Sequence, residues 1–375
     1  MTEAREDFFD DMTTDDDSSF DAMSVDHVEL YVSSLAASTD WLVDQYGFTV
    51  TADNAGEAAR IGARSTVLDQ GRIRIVLTEG LDETHPASVY VARHGDGVGN
   101  IALGVSDVAA AFAAAVRRGA RPVAEPQGRD GAVSATIVGF GDVHHTFVRR
   151  RDENAEEPGG LSGLSPVAGR TPAVDPRLTA VDHFAGCLEA GTLDATVDHY
   201  VRVLGFSMIF AEDIVVGTQA MISKVVQSAS GAVTLTLIEP DTTREPGQID
   251  SFLKNHGGAG VQHVAFNTDD VIRSVGLMKE AGVGFLDTPD TYYQLLARRV
   301  AVRRHSVDEL REHDVLMDED HDGQLFQIFT RSVHPRRTLF MEVIERSGAR
   351  TFGSNNIKAL YEAVELQRAA SGTLT

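Results

Sequence analysis

The sequence predicts an α+β protein of four β-α-β-β-β modules, grouped into two similar halves whose sheets form open barrels. A short phrase that occurs four times is the first reason for this prediction. In each copy apolar and polar residues alternate, as in a half-buried strand, and a stretch with helical periodicity follows. The copies begin at Val25, Val98, Val181 and Val261. The chain therefore repeats a strand-then-helix unit.

The second reason is that the two halves can be aligned outside these phrases. Glu79 ends a strand-like run and is followed by Pro86, and Glu239 ends a similar run and is followed by Pro246. The spacing is seven residues in both halves (86 − 79 and 246 − 239). Because this correspondence extends over several elements, we predict two modules in each half.

Changes in composition mark the expected domain boundaries. Residues 1–22 are acidic and contain few apolar residues, which predicts a disordered tail. Residues 153–176 are rich in Pro, Gly and Ser, which is typical of an interdomain linker. We therefore expect an N-terminal domain at 23–152 and a C-terminal domain at 177–375.

The composition limits the classes of partner and the compartment. The 375 residues suffice for two domain cores, and 42% of them are hydrophobic. The sequence contains no apolar run of the ~18 residues that span a bilayer, and its first residues lack the pattern of a signal peptide. The net charge of −23 disfavours nucleic acid and anionic membranes as partners. The single Cys187 excludes an intrachain disulfide. We expect a cytoplasmic homo-oligomer that acts on a small molecule.

Three residues of the C-terminal half form a candidate metal site. His183 and His263 occupy the same position of successive modules, 80 residues apart (263 − 183), and Glu342 follows 79 residues later (342 − 263). Singly, each histidine would more often be a structural core residue, but the apolar neighbours of Glu342 would make an unpaired carboxylate costly. Two histidines and one carboxylate on separate strands are the ligand set of non-haem Fe(II) oxygenases. We therefore predict that these three residues bind Fe(II).

The N-terminal half lacks this ligand set. It keeps His27, but Asn100 stands in the position of the second histidine, and residues 141–148 contain no counterpart of Glu342. We predict a degenerate domain that binds no metal, in which His27 is structural. In the third module, Thr236 is expected at the position that Glu342 occupies in the fourth.

Four C-terminal segments resemble the 4-hydroxyphenylpyruvate dioxygenase family. They are Gly260-Val-Gln-His263 and residues 320–330, 340–346 and 352–360, and the similarity extends from about residue 25 to residue 368. The resemblance implies the vicinal-oxygen-chelate fold and Fe(II) as the cofactor. It also implies that 4-hydroxyphenylpyruvate and O2 are the substrates.

Two activities share this scaffold. The dioxygenase forms homogentisate, whereas 4-hydroxymandelate synthase hydroxylates the benzylic carbon and forms 4-hydroxymandelate and CO2. The dioxygenase pattern has Pro-Ile-Asn where this chain has Thr236-Leu-Ile238, and phenylalanines where it has Ile357 and Tyr361. These departures resemble the synthase, which we predict, with the dioxygenase as the alternative.

The resemblance also implies residues that orient the substrate. Besides Ile238 and Ile357, they are Ser223, Thr236, Gln248, Gln327, Phe329, Phe352 and Asn356. Each polar residue could equally be an ordinary hydrogen-bonding member of a sheet. Residues 356–368 have apolar side chains on one helical face, which favours either a lid over the cavity or a packing helix.

A third possibility is a non-catalytic protein of the same fold that binds aromatic compounds. Such a protein would need no iron, so the complete set of three ligands argues against it. The glycines of the chain follow neither a phosphate-loop nor a dinucleotide-binding spacing, so no nucleotide cofactor is expected.

Overall fold

The computed structural model of the protein describes residues 18–129, 132–149, 163–353, 355–356 and 358. In this part of the chain, each half forms one mixed sheet with helices packed against it. The N-terminal elements are α1 (Ser18–Asp21), β1 (Ser24–Tyr31), α2 (Leu35–Tyr46), β2 (Thr49–Asp53), α3 (Ala58–Ile61), β3 (Ala63–Gln70), β4 (Ile73–Gly80), α4 (Pro86–His94), β5 (Gly97–Gly104), α5 (Val108–Arg117), β6 (Pro122–Arg129), β7 (Ala132–Phe140) and β8 (Val143–Arg149).

A short strand from the linker and then the elements of the C-terminal half follow. They are β9 (Ser165–Pro166), β10 (Leu178–Cys187), α6 (Leu193–Leu204), β11 (Ser207–Val216), β12 (Gln219–Gln227), β13 (Thr234–Pro240), α7 (Gln248–His256), β14 (Gly260–Thr268), α8 (Val271–Glu280), α9 (Asp290–Arg299), α10 (Val307–Glu312), β15 (Leu316–Glu319), β16 (Gln324–Phe329) and β17 (Phe340–Ser347).

The strand order confirms the predicted repeat. The sheets run β6-β7-β8-β5-β1-β4-β3-β2-β9 and β11-β12-β13-β10-β14-β17-β16-β15. In each, the first strands of the two modules pair antiparallel at the centre, β1 with β5 and β10 with β14. Each central strand also pairs in parallel with the last strand of its own module. The fourth module departs from the pattern only by α9 and α10, which precede β15.

Local sequence signals explain why corresponding helices begin and end at equivalent places. The helices α5 and α8 begin after Asp107 and Asp270, whose carboxylates accept hydrogen bonds from the backbone N–H three residues later. The helices α2 and α6 end at Gly47 and Gly205, which have φ of 74° and 68°. Glycine adopts this left-handed conformation without the strain of a side chain.

One continuous apolar core joins the halves. The rings of Phe48 and Phe266 meet edge to face at 6.0 Å across the interface. The buried His145 of β8 accepts a hydrogen bond at Nε2 from the hydroxyl of Tyr200 on α6, at 2.7 Å. The two halves therefore pack against each other through buried side chains.

The described part of the terminal tail and linker is more ordered than the composition predicts. Residues 18–22 were expected in the disordered tail, but Ser18–Asp21 forms α1 and the Phe20 ring is buried against Phe147. In the linker, Ser165–Pro166 adds a strand to β2, and the Val167 N–H donates to the carbonyl of Thr51. Proline has no backbone N–H, and it is tolerated in an edge strand because the missing donor would point away from the sheet. Residues 1–17 and 150–162 lie outside the described residues.

No helix in the described ranges combines the length and apolar character needed to cross a bilayer.

Candidate metal centre and substrate cavity

Strand register brings the three predicted ligands to one face of the C-terminal sheet. His263 pairs with Ala185 of β10, and Ala265 pairs with Glu342 of β17. Because side chains two residues apart on a strand share a face, His183, His263 and Glu342 all point into the open barrel. The structure thus brings together the three residues that the sequence analysis grouped.

The ligand atoms have the spacing that an ion requires. Glu342 Oε2 lies 3.4 Å from His183 Nε2 and 3.2 Å from His263 Nε2, and all three side chains are buried. Ligand atoms about 2.1 Å from an ion on perpendicular axes would be about 3.0 Å apart. The donor set thus fits a cation bound on one triangular face, with its other positions directed into the cavity.

The charges of the site also favour a cation. Burial would raise the pKa of Glu342, but His183 and His263 lower it to about 2. Burial opposes protonation of His183, yet Glu342 and Asp182 outweigh it and raise its pKa to about 9. Burial lowers the pKa of His263. A permanent carboxylate that holds a proton on a neighbouring imidazole can exchange that proton for a metal ion.

A partly buried ion pair that the sequence analysis missed orients His183. His183 Nδ1 donates to Asp182 Oδ1 at 2.8 Å, and Arg346 binds both oxygens of Asp182 at 2.8 Å. The pairing of β10 shifts register between Val181 and His183, which places Asp182 in a bulge. A bulge re-aims side chains, so consecutive residues can meet. With Nδ1 engaged, Nε2 is left for the metal.

Aromatic rings fix the second imidazole. The ring of His263 stacks on Phe340 at 5.0 Å and meets the edge of Phe329 at 5.6 Å. Its Nδ1 lies 3.4 Å from Gln262 Oε1. Phe352 contacts His183 in the same edge-on manner at 5.2 Å. The two ligands therefore have different supports, a charged pair for His183 and aromatic packing for His263.

A cavity of about 200 Å³ extends from the three ligands into the barrel. Of the residues predicted to orient a substrate, those that line it are Ser223, Thr236, Ile238, Gln248, Phe329 and Phe352. The sequence analysis missed other lining residues, including Phe210, Ile214, Met221, Gln262, Leu286 and Phe340. Gln262 could have been found, since it precedes His263, but Phe210, Ile214 and Met221 lie in no motif that the sequence analysis identified.

Two predicted substrate residues lie outside this lining. Gln327 shares a face of β16 with Phe329, but its side chain lies against Gly353, and Asn356 is fully buried where it accepts a hydrogen bond from Tyr292 at 2.8 Å. The structure therefore does not bring Gln327 and Asn356 together with the other predicted substrate residues on the cavity wall. Ile357 and most of the predicted lid, 356–368, lie outside the described residues.

The register also tests the predicted equivalences. Thr236 pairs with Ala185 as Glu342 pairs with Ala265, which confirms that Thr236 occupies the carboxylate position in the third module. In the N-terminal half, the corresponding position is taken by Thr146, opposite Ala102. With Asn100 and Thr146 at two of the three ligand positions, the N-terminal half keeps only the histidine that corresponds to His183, which is His27.

The fold and the site define a class of protein. Two family models described as "Glyoxalase/Bleomycin resistance protein/Dioxygenase superfamily" match the chain, one at residues 180–328 and one at residues 26–140. The matches correspond to the two halves. The chain thus has the duplicated vicinal-oxygen-chelate architecture of this superfamily, as the sequence predicts.

Curated relatives narrow the class. A 4-hydroxyphenylpyruvate dioxygenase of Coccidioides posadasii is 31% identical over 93% of this chain and 94% of its own length. One of Dictyostelium discoideum is 32% identical over 93% and 99%. The chain belongs to the 4-hydroxyphenylpyruvate dioxygenase family. It is therefore a dioxygenase, as predicted, and the alternative of a non-catalytic binding protein is not supported.

Solved structures agree in fold. A mutant of 4-hydroxymandelate synthase from Streptomyces coelicolor has a TM-score of 0.81 and 43% identity, and the match covers 92% of this chain and 98% of that one. A xylose isomerase-like TIM barrel/4-hydroxyphenylpyruvate dioxygenase fusion protein has a TM-score of 0.70 and 25% identity, covering 95% of this chain and 53% of the fusion. Both activities predicted from the sequence thus occur among its relatives.

Proposed function

We propose that the protein is an Fe(II)-dependent dioxygenase that converts 4-hydroxyphenylpyruvate and O2 into 4-hydroxymandelate and CO2. The observation that carries the proposal is the cavity itself. Its lining combines two histidines and a carboxylate with apolar side chains and with the polar side chains of Ser223 and Gln248. These three kinds of lining complement a molecule that has a 2-oxo acid group, an aromatic ring and a phenolic hydroxyl.

The residues at the metal end of the cavity hold the cation and neutralise only part of its charge. Two neutral imidazoles and one carboxylate would leave Fe(II) with a net charge of +1, which favours an anionic 2-oxo acid as a ligand. Bound there, Fe(II) would supply the activation of O2, which oxidises the substrate by four electrons, two in the decarboxylation and two in the hydroxylation. Phe329, Phe340 and Phe352 surround the ligands and exclude water.

The middle of the cavity has little polarity. Thr236 stands at the level of the metal ligands, and its buried Oγ1 has no partner in the described part of the chain. Ile238 lies on the same face of β13, two residues or about 6.6 Å further along. Ile238 has no hydrogen-bonding group, so this part of the cavity can pack the substrate ring without anchoring it.

The far end of the cavity is where the phenol would be held. Ser223 pairs with Ile238 across β12 and β13, and it is buried with its side chain on the cavity. Gln248, at the start of α7, reaches the sulfur of Met221 at 3.9 Å and also lines the cavity. We assign the phenolic hydroxyl to Ser223 and Gln248, because both are polar, line the cavity and lie on β12 and α7, which carry none of the three metal ligands.

This arrangement favours benzylic hydroxylation. A substrate fixed at its oxo-acid end and its phenol, with an unanchored ring between, presents the benzylic carbon beside the metal. A displacement on the order of 1 Å could instead favour the ring carbon, since catalytic positioning is sensitive at that scale. The second candidate product, homogentisate, is favoured by the names of the curated relatives.

Product analysis tests the proposal. The protein is loaded with Fe(II) without oxygen, and 4-hydroxyphenylpyruvate and air are then added. Because the two products are isomers, they are separated by chromatography against standards. 4-Hydroxymandelate is expected. Homogentisate as the main product would refute the product assignment, and no substrate-dependent oxygen uptake would refute the activity.

Ile238→Asn tests the role of the cavity centre. The amide would add a hydrogen-bonding group beside the ring, and we expect the product ratio to shift towards homogentisate by at least tenfold, with total turnover reduced. Ile238→Val is the matched control, because it changes volume without polarity, and its product ratio should stay within twofold of the unmodified protein. An unchanged ratio in Ile238→Asn would show that Ile238 does not select the product.

A further inference from the structure

The N-terminal barrel contains its own cavity, for which the proposed reaction has no use. It has a volume of about 260 Å³ and lies at the position that corresponds to the metal end of the C-terminal cavity. His27, Asn100 and Thr146, which replace the three ligands of the other half, all line it. Loss of the ligand set has thus left a polar cavity and not a filled core.

The carboxylate of Glu29, which has no cationic partner within the described ranges of the chain, faces this space. Glu29 accepts hydrogen bonds from Thr78 at 2.7 Å and from Asn100 at 3.3 Å, and Asn100 in turn accepts one from Thr146 at 3.1 Å. These neutral donors orient the carboxylate but do not neutralise it. Among the described residues, no Lys, Arg or His forms an ion pair with Glu29, although an uncompensated charge in a half-buried site is costly.

A second acceptor faces the same cavity. His27 is only 7% exposed, and its Nδ1 lies 2.6 Å from Asp26 Oδ1. Because Asp26 accepts the hydrogen of Nδ1, Nε2 is the ring nitrogen that is left for a ligand in the cavity. In the described part of the chain this Nε2 has no hydrogen-bond partner. Among the residues that the structure describes, His27 and Glu29 also belong to no group of three histidine or acidic side chains whose ligand atoms are close enough together to hold a metal ion.

We propose that this cavity binds a small primary ammonium compound, whose N–H donors would lie between the Glu29 carboxylate and His27 Nε2. An ammonium group supplies the charge that Glu29 lacks and the donor that His27 needs. The rest of the lining combines apolar side chains, among them Ile61, Val76 and Val148, with Asn54, Ser65 and Ser134, and the apolar part suits a short hydrocarbon body. The volume is below the roughly 300 Å³ at which pockets for drug-sized ligands begin, so the ligand is small.

Calorimetric titration with n-butylammonium tests the proposal on the full-length protein loaded anaerobically with one equivalent of Fe(II). We expect saturable binding of one equivalent. Binding should be at least tenfold weaker for 1-butanol, which has the same shape without the charge. It should also be at least tenfold weaker in Glu29→Gln. The control Glu83→Gln removes an exposed carboxylate and should bind as the unmodified protein does.

Three results would overturn the proposal. The first is the absence of saturable n-butylammonium binding in the unmodified protein, and the second is equal binding in Glu29→Gln. The third is the binding of one equivalent of Co(II) in addition to the Fe(II), if Glu29→Gln abolishes it, because this would indicate a metal site. If Glu29→Gln fails to fold, Val76→Leu narrows the cavity and keeps the charge. It should also weaken n-butylammonium binding, and unaltered affinity would refute the site.

Discussion

Asp182→Asn is the substitution that most directly tests how the protein holds His183. The carboxylate of Asp182 connects His183 Nδ1 to Arg346, with each contact at 2.8 Å. Asparagine keeps the size of the side chain but removes its charge. It therefore weakens both the acceptor for the imidazole N–H and the partner of the arginine.

Two effects are expected. Loss of the carboxylate that supports a metal-bound histidine typically lowers metal affinity about 10- to 100-fold, or about 1.4–2.7 kcal/mol. Breaking a buried ion pair costs about 3–5 kcal/mol of folding free energy, and because the Arg346 side chain is 18% exposed we expect the lower limit, about 3 kcal/mol. Metal affinity and unfolding should therefore both change.

The assay is anaerobic competition for Fe(II) between the protein and a chromophoric chelator, with unfolding by urea measured in parallel. The duplicated fold supplies a matched control. Asp26 contacts His27 Nδ1 at 2.6 Å at the equivalent bulge of β1, but the N-terminal half lacks the other ligands. Asp26→Asn makes the same chemical change and should leave Fe(II) affinity within twofold.

The reasoning fails if Asp182→Asn binds Fe(II) within twofold of the unmodified protein, or if Asp26→Asn weakens binding equally. The first result would mean that packing alone orients His183. The second would mean that the effect spreads through general destabilisation and not through the imidazole.

Two further predictions concern the contacts between the halves and the linker. Burial lowers the pKa of His145 to about 4, so its neutral form contributes stability above pH 6.5 that is lost as the pH falls towards 4. The free energy of unfolding in urea should fall by about 2 kcal/mol from this cause between pH 7.5 and 5. His145→Gln, whose side chain can still accept the hydrogen bond from Tyr200, should abolish this contribution to the pH dependence. An unchanged pH dependence in the variant would show that His145 is not its source. A Cβ at Gly169 would lie 1.6 Å from the carbonyl oxygen of Val50, so Gly169→Ala should release the linker from β2 and speed limited proteolysis of the linker. Gly56→Ala is the control, because a Cβ there has no neighbour within 4 Å, and it should not change the rate. Equal proteolysis rates in the two variants would show that the linker does not need the close contact at Gly169.

Much of the site could be predicted because the repeat made its residues comparable. His183 and His263 share a module position, and the counterparts Thr236 and Asn100 follow from the same alignment. Gln327 illustrates the limit of this reasoning. The alternation of apolar and polar residues predicts the strand that contains Gln327 and the face on which its side chain lies. Gly353, against which that side chain packs, is distant in sequence, so the exclusion of Gln327 from the cavity lining could not be predicted.

The sequence by itself determined the four modules, the candidate metal ligands and the family, because these depend on periodicity and on residue identity at repeated positions. Only the tertiary structure decided what surrounds them. Asp182 supports His183 because a bulge turns consecutive residues towards each other, and Arg346 reaches Asp182 from another strand. The lining by Phe210 and the open N-terminal cavity likewise depend on how distant strands close around a space, which no local pattern encodes.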